Sequence, residues 1–197
     1  MKFHATPIDG LWEIETAPHA DARGSLTRLY CADSFDEVAP GLRFVQVNHS
    51  ITTRCGTVRG LHFQRAPALE AKLVRCLRGR VFDVTLDLRA GSKTFAMWHA
   101  VELSASNQRQ VLIPPGCAHG FQTLSDDCEL LYQHSARHTP ACEGGVAHDD
   151  PRLRIGWPLP VAEMSARDRA WPRLGAGFEA SLDMGSKTWA PKRVSKD

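Results

Sequence analysis

The sequence predicts a mainly β domain, a sandwich or small barrel with a few short helices. Three observations predict it. Val81–Leu88 alternates, with Phe82, Val84, Leu86 and Leu88 on one face and Asp83, Thr85 and Asp87 on the other. That is the period of a half-buried strand. Many other short apolar runs are separated by turns, the pattern of a sheet closed or folded on itself. Helical signals are confined to two short stretches.

In chain order, Ser34 followed by Glu37 resembles a capping box for a helix ending near Pro40. Strands fit Phe44–Val47, Thr57–Phe63 and Lys72–Leu77. Arg78-Gly79-Arg80 is a tight turn into Val81–Leu88. Further strands fit Phe95–Leu103, Gln110–Ile113, Gly120–Leu124 and Glu129–Gln133. Ser165-Ala166-Arg167-Asp168 opens a second helix, closed by Pro172. No repeat or composition shift divides the chain. Residues 1–184 read as one domain and 185–197 as a flexible basic tail.

At 197 residues, 43% hydrophobic and 23% charged, the composition is that of a globular protein rather than a disordered one. No stretch approaches the ~18 uninterrupted apolar residues of a membrane span. The net charge of +2 is too balanced for nucleic-acid binding. The excess sits in the tail: residues 185–197 carry a net +3, and residues 1–184 a net −1. Six cysteines lack CxxC spacing, and the first fifteen residues have no apolar h-region. Free, buried thiols and a cytoplasmic location are expected.

The densest chemistry lies in Gln46–Gln64, which holds Gln46, Asn48, Arg59, His62 and Gln64. Polar side chains recurring on one strand face suit a wet barrel interior, or simply a solvent-facing sheet. A Pro–Gly turn delivers His119 to the start of a strand, at a cavity mouth or as a structural histidine. His62, His119 and Glu143 raise the metal question, but no ligand spacing supports a site. Lys72 could snorkel outward between Ala71 and Leu73. Tyr132 could be a core aromatic, and Asp168 no more than part of a helix cap.

Taken together these residues say more. Asp21–Gly24, Gln46–Asn48, RGLHFQ (Arg59–Gln64), Lys72–Cys76, Gly79–Asp83, Asp87–Arg89, PPGCAHGF (Pro114–Phe121), Tyr132, Glu143-Gly144, Asp149–Pro151 and Trp157-Pro158 stand in unbroken order. The chain thereby resembles the dTDP-4-dehydrorhamnose 3,5-epimerase family, over most of its length. The resemblance implies a cupin-type jelly roll with a few short helices. It also implies a homodimer that exchanges N-terminal strands, and neither metal nor other cofactor. The implied substrate is a nucleoside-diphosphate-linked 4-keto-6-deoxyhexose of rhamnose-type deoxysugar biosynthesis, inverted at C3 and C5 or at C3 alone.

By the same resemblance His62 is the base, Asp168 its partner, Lys72 the oxyanion stabiliser and Tyr132 the acid. Arg59 and His119 would touch the sugar or diphosphate. Arg23, Gln46, Asn48, Glu143 and Arg167 would touch the nucleotide. Arg28 replaces a family glutamate, Leu26 an aromatic, and His138 the tyrosine that stacks on thymine. These departures imply either a base other than thymine or compensation by neighbours. Other readings of such a chain are a same-fold 3,4-ketoisomerase, a non-catalytic sugar-nucleotide-binding protein and a metal-dependent dioxygenase.

Overall fold

The structure is a computed structural model and describes residues 1–175; the basic tail expected at 185–197 lies outside them. The strands are β1 (Lys2–Ala5), β2 (Trp12–Glu15), β3 (His19–Asp21), β4 (Gly24–Leu26), β5 (Gln46–Thr52), β6 (Val58–Gln64), β7 (Lys72–Arg78), β8 (Arg80–Asp87), β9 (Trp98–Ser104), β10 (Gln110–Ile113), β11 (Cys117–Thr123), β12 (Cys128–His134) and β13 (Glu143–Gly145). Two short α-helices, α1 (Ala32–Asp36) and α2 (Ala166–Arg169), complete the pattern with one 3-10 turn. The expected mainly β class is what forms.

Two antiparallel sheets face each other. One has the order β1-β2-β10-β7-β12-β5, the other β13-β6-β11-β8-β9. Val74, Cys76, Val81, Val111, Phe121 and Leu130 fill one end of the space between them. A second apolar layer covers the outside of the five-stranded sheet, where Phe63, Val84, Leu86, Leu88, Val146 and Leu153 pack. A third lies outside the six-stranded sheet, where Phe35, Val38 and Leu42 cover Trp12, Ile14, Leu73 and Leu112.

These layers correct one expectation. β8 is not half-buried: Asp83, Thr85 and Asp87 are as buried as Val84 and Leu86. Its apolar face points to the outer layer and its polar face inward, so the alternation was right and the surroundings were not. Asp87 is satisfied there by a two-pronged bond from Arg89, with Ser92 and Thr94 hydroxyls adding two more.

The expected capping box at Ser34 does not form. Cys31 is the N-cap of α1, without a side-chain cap bond, and the buried Phe35 anchors the helix. All six cysteines are free, four of them buried. Burial pushes the Cys76 thiol up to about 12. β1 and β2 pair with each other, and β2 with β10, inside one chain. Among the described strands only the hairpin β3–β4 pairs with nothing but itself. No helix among the described residues is long and apolar enough to cross a membrane.

Candidate active site

A cavity of about 700 Å³ opens between the two sheets. β6 and β11 supply His62 and His119, directly opposite each other in register. β7 and β12 on the facing sheet supply Lys72 and Tyr132.

His62 Nε2 lies 2.7 Å from Asp168 Oδ1. The other oxygen, Oδ2, accepts the Gly60 N–H at 3.2 Å. Asp168 reaches β6 because α2 is capped by another residue: Ser165 Oγ accepts the Asp168 N–H at 3.0 Å. The expected cap exists, and it frees the carboxylate for the histidine. Burial opposes the Asp168 charge, but the bond and charge of His62, the Gly60 N–H and Arg167 outweigh it. Its carboxyl is held below the usual range.

Gly60 makes this approach possible. Its φ is +122°, and a Cβ there would stand 2.5 Å from the Gly120 Cα. Glycine alone tolerates both. The β6–β11 register shifts at this point. Trp171 packs on Gly145 and stands edge-on to the His62 ring at 6.2 Å.

Lys72 does not snorkel outward. It is 7% exposed, while its neighbours Ala71 and Leu73 pack in the outer layer under α1. Its Nζ lies 3.3 Å from Glu70 Oε1 and donates to the His62 carbonyl at 3.3 Å. Tyr132 is edge-on to His119 at 5.9 Å and stacked with His134 at 6.1 Å. Burial holds its phenol well above its ordinary value; Asp83 adds to this and Arg59 opposes it.

Of the remaining expected residues, Gln46, Asn48, Arg59, His119, His138, Glu143 and Arg167 all line the cavity. Arg59 Nη2 donates to the Ile51 carbonyl at 3.1 Å, and Arg167 Nη1 pairs with Glu143 Oε2 at 3.0 Å. His138 sits 3.7 Å from the same carboxylate oxygen. Arg23 and Arg28 are not brought to the cavity. Arg23 lies on the β3–β4 turn, 90% exposed and paired with Asp21, and Arg28 follows β4, exposed.

Two wall residues, Glu70 and His134, escaped the sequence reading, as did the role of Asp83 behind His119. Asp83 Oδ2 holds His119 Nε2 at 2.8 Å, and Glu70 Oε2 holds His134 Nδ1 at 2.9 Å. Period two was the available signal: Glu70 stands two before Lys72, and His134 two after Tyr132. Among the described residues no group of three or more His, Cys, Asp or Glu converges as a metal site. The cavity histidines pair singly with carboxylates instead.

Two facing sheets, with His62 and its α2 partner Asp168 on one side and Lys72 and Tyr132 on the other, define a cupin-type barrel around one polar cavity. Residues 5–176 match the family described as dTDP-4-dehydrorhamnose 3,5-epimerase. The chain belongs to that family of isomerases, as its motifs implied. It is 45% identical to the dTDP-4-dehydrorhamnose 3,5-epimerase of Pseudomonas aeruginosa, over 86% of this chain and 93% of that protein. It is 41% identical to the dTDP-4-dehydrorhamnose 3-epimerase of Streptomyces niveus, over 92% of this chain and 88% of that one. It is also similar to the crystal structure of a 4-keto-6-deoxy sugar epimerase from Streptomyces spheroides. There the TM-score is 0.86 at 41% identity, and the match covers 92% of each chain.

Proposed function

We propose that the protein epimerises a dTDP-linked 4-keto-6-deoxyhexose at C3 and C5, in deoxysugar formation of the rhamnose type. One observation carries this: a His62–Asp168 pair at 2.7 Å faces Tyr132 across a single cavity. The C4 ketone acidifies the protons on C3 and C5. His62 removes one, and Asp168 holds the imidazolium that results. The electron pair moves to the C4 oxygen, where the Lys72 ammonium meets it in a nearly dry wall. The Tyr132 phenol returns a proton to the opposite face, which inverts the carbon.

The names of the relatives support a thymidine nucleotide. Leu26 and Arg28 are remote from the cavity within their own chain, on or beside the β3–β4 hairpin, and His138 is the departure at this chain's own rim. The reading asks for no cofactor, places the reaction in the cytoplasm and takes the working form as a homodimer. In such a dimer the hairpin β3–β4 would carry Arg23 to the cavity of its partner. The test is NMR of dTDP-4-keto-6-deoxyglucose with the protein in D2O. Deuterium should enter at C3 and C5 with inversion, faster than for UDP-, CDP- or GDP-linked analogues. No deuterium at either carbon refutes the function. A preference for another nucleotide refutes the thymidine assignment, and deuterium at C3 alone removes C5.

A further inference from the structure

A directed chain of hydrogen bonds runs along the cavity wall, and its polarity is fixed at both ends. At one end the His138 backbone N–H, which can only donate, gives its proton to Gln46 Oε1 at 2.9 Å. Gln46 must then present its Nε2, which donates to Asn48 Oδ1 at 3.3 Å. Asn48 in turn presents Nδ2 to His134 Nε2 at 3.4 Å. An amide nitrogen cannot accept, so that ring nitrogen is unprotonated. His134 carries its proton on Nδ1 and gives it to Glu70 Oε2 at 2.9 Å. At the far end Glu70 Oε1 faces the Lys72 ammonium at 3.3 Å, again a group that only donates.

We propose that His134 is a positioning residue: held by Glu70 as its Nδ1–H tautomer, it fixes which amide atoms Gln46 and Asn48 turn to the nucleotide. Register makes the arrangement possible. His134 stands opposite Lys72 on β7 and opposite Gln46 on β5, so one side chain joins both strands. At the Glu70 end burial keeps water from substituting for a lost partner, since Glu70 is 9% and Lys72 7% exposed, while the Gln46 and Asn48 amides stand at the open side of the cavity. Burial opposes the Glu70 charge, yet His134 and Lys72 outweigh it and hold the carboxyl below its usual value. A carboxylate is the one side chain that accepts from both neighbours. An amide at position 70 would place an N–H against either Lys72 or His134.

The proposal rests on the epimerase reading only for what Gln46 and Asn48 meet; the tautomer stands apart from it. Two measurements test it. The first is long-range ¹H–¹⁵N correlation of the histidine rings in the full-length, ligand-free protein, with the His134 signals assigned by their loss in His134→Leu. Nδ1–H is expected at neutral pH. An Nε2–H ring or an imidazolium overturns the proposal whether or not the protein is an epimerase.

The second measurement is dTDP binding by calorimetry, with KM and kcat alongside. His134→Leu should weaken dTDP binding and raise KM about tenfold, the effect of one misplaced hydrogen-bonding group, with a smaller change in kcat. His134→Gln offers an amide N–H to Glu70 and an amide oxygen to Asn48, so it should restore most of the loss. Unchanged dTDP affinity in His134→Leu, a loss confined to kcat, or no recovery in a folded His134→Gln each overturns it.

Discussion

Asp168→Asn keeps the shape of the carboxylate and removes its symmetry. Asp168 is 3% exposed and accepts on both oxygens, from His62 on Oδ1 and from the Gly60 N–H on Oδ2. An asparagine accepts on one arm and donates on the other. With its oxygen toward Gly60, its NH2 faces His62 Nε2, and that nitrogen must be unprotonated. The imidazole proton then moves to Nδ1, the nitrogen Asp168 does not hold, and a base already protonated there cannot take the substrate proton. The opposite rotamer sets NH2 against a buried N–H and costs about 1–3 kcal/mol of stability. The backbone donor cannot turn, so the first rotamer is expected. Exchange of the C3 proton should fall ~10³–10⁴-fold, the loss found when a catalytic histidine is held in the wrong tautomer. That is about 4–5.5 kcal/mol of barrier. The assay is deuterium entry at C3 by NMR, with urea denaturation in parallel. Retention of more than about a tenth of wild-type exchange would refute the reasoning on tautomers. Lost exchange with a stability loss beyond ~3 kcal/mol would assign Asp168 to the fold instead.

Other outcomes are expected from the same geometry. Tyr132→Phe should impair completed inversion more than deuterium exchange; equal loss of both removes Tyr132 from the acid role. Gly60→Ala places a Cβ 2.5 Å from Gly120 Cα at φ +122° and should destabilise by at least ~2 kcal/mol in urea; a change below ~0.5 kcal/mol would show that β6 can move away. Glu70, Asp87, Asp150 and Asp168 all have carboxyls held below their usual values of 4.5 or 3.8, burial opposing and their bonded partners prevailing. Their contribution is present above those values and is lost as pH falls through the lower folded ones. The thermal midpoint should therefore drop below about pH 4; a flat midpoint from pH 5 to 3 contradicts this. Arg23→Ala and His62→Ala should each be inactive alone yet regain activity on mixing, because a hybrid dimer holds one intact site. No recovery in mixed dimers would place Arg23 outside the partner's cavity.

Strands were legible mainly as apolar runs bounded by turns, while β2, which alternates, was not among those expected. Gln110–Ile113 has the bounds expected of it, and Lys72–Arg78 and Cys128–His134 differ from expectation by a residue or so. β1, β3 and β4 were not legible: they are mostly exposed and carry no apolar alternation. Which side of β8 faces the cavity was also hidden, since a strand covered on both faces has no solvent side to read. At the site, His62, Lys72 and Tyr132 stood out by motif. The partners of His119 and His134 did not, because His119–Asp83 and His134–Glu70 span 36 and 64 residues. Pairing at that range is set by which strands become neighbours, and local pattern does not encode it.

Charge shows the same limit, and it bears on the dimer. Net charge was the wrong scale for a doubly anionic diphosphate, but locality alone does not solve the problem. The cavity wall holds Arg59, Lys72 and Arg167 against Glu70 and Glu143. Lys72 and Arg167 are already engaged by those carboxylates, so among the described residues Arg59 is left as the wall cation without a carboxylate of its own. A diphosphate drawn out of water needs more positive charge than one guanidinium supplies. Arg23 lies on a hairpin bonded to no other described strand, and Arg28 follows that hairpin. The exposed Arg23–Asp21 pair is weak enough to exchange its carboxylate for a phosphate. In the proposed homodimer the hairpin of a second subunit would bring that charge to the cavity, and the mixing of Arg23→Ala with His62→Ala tests whether it does.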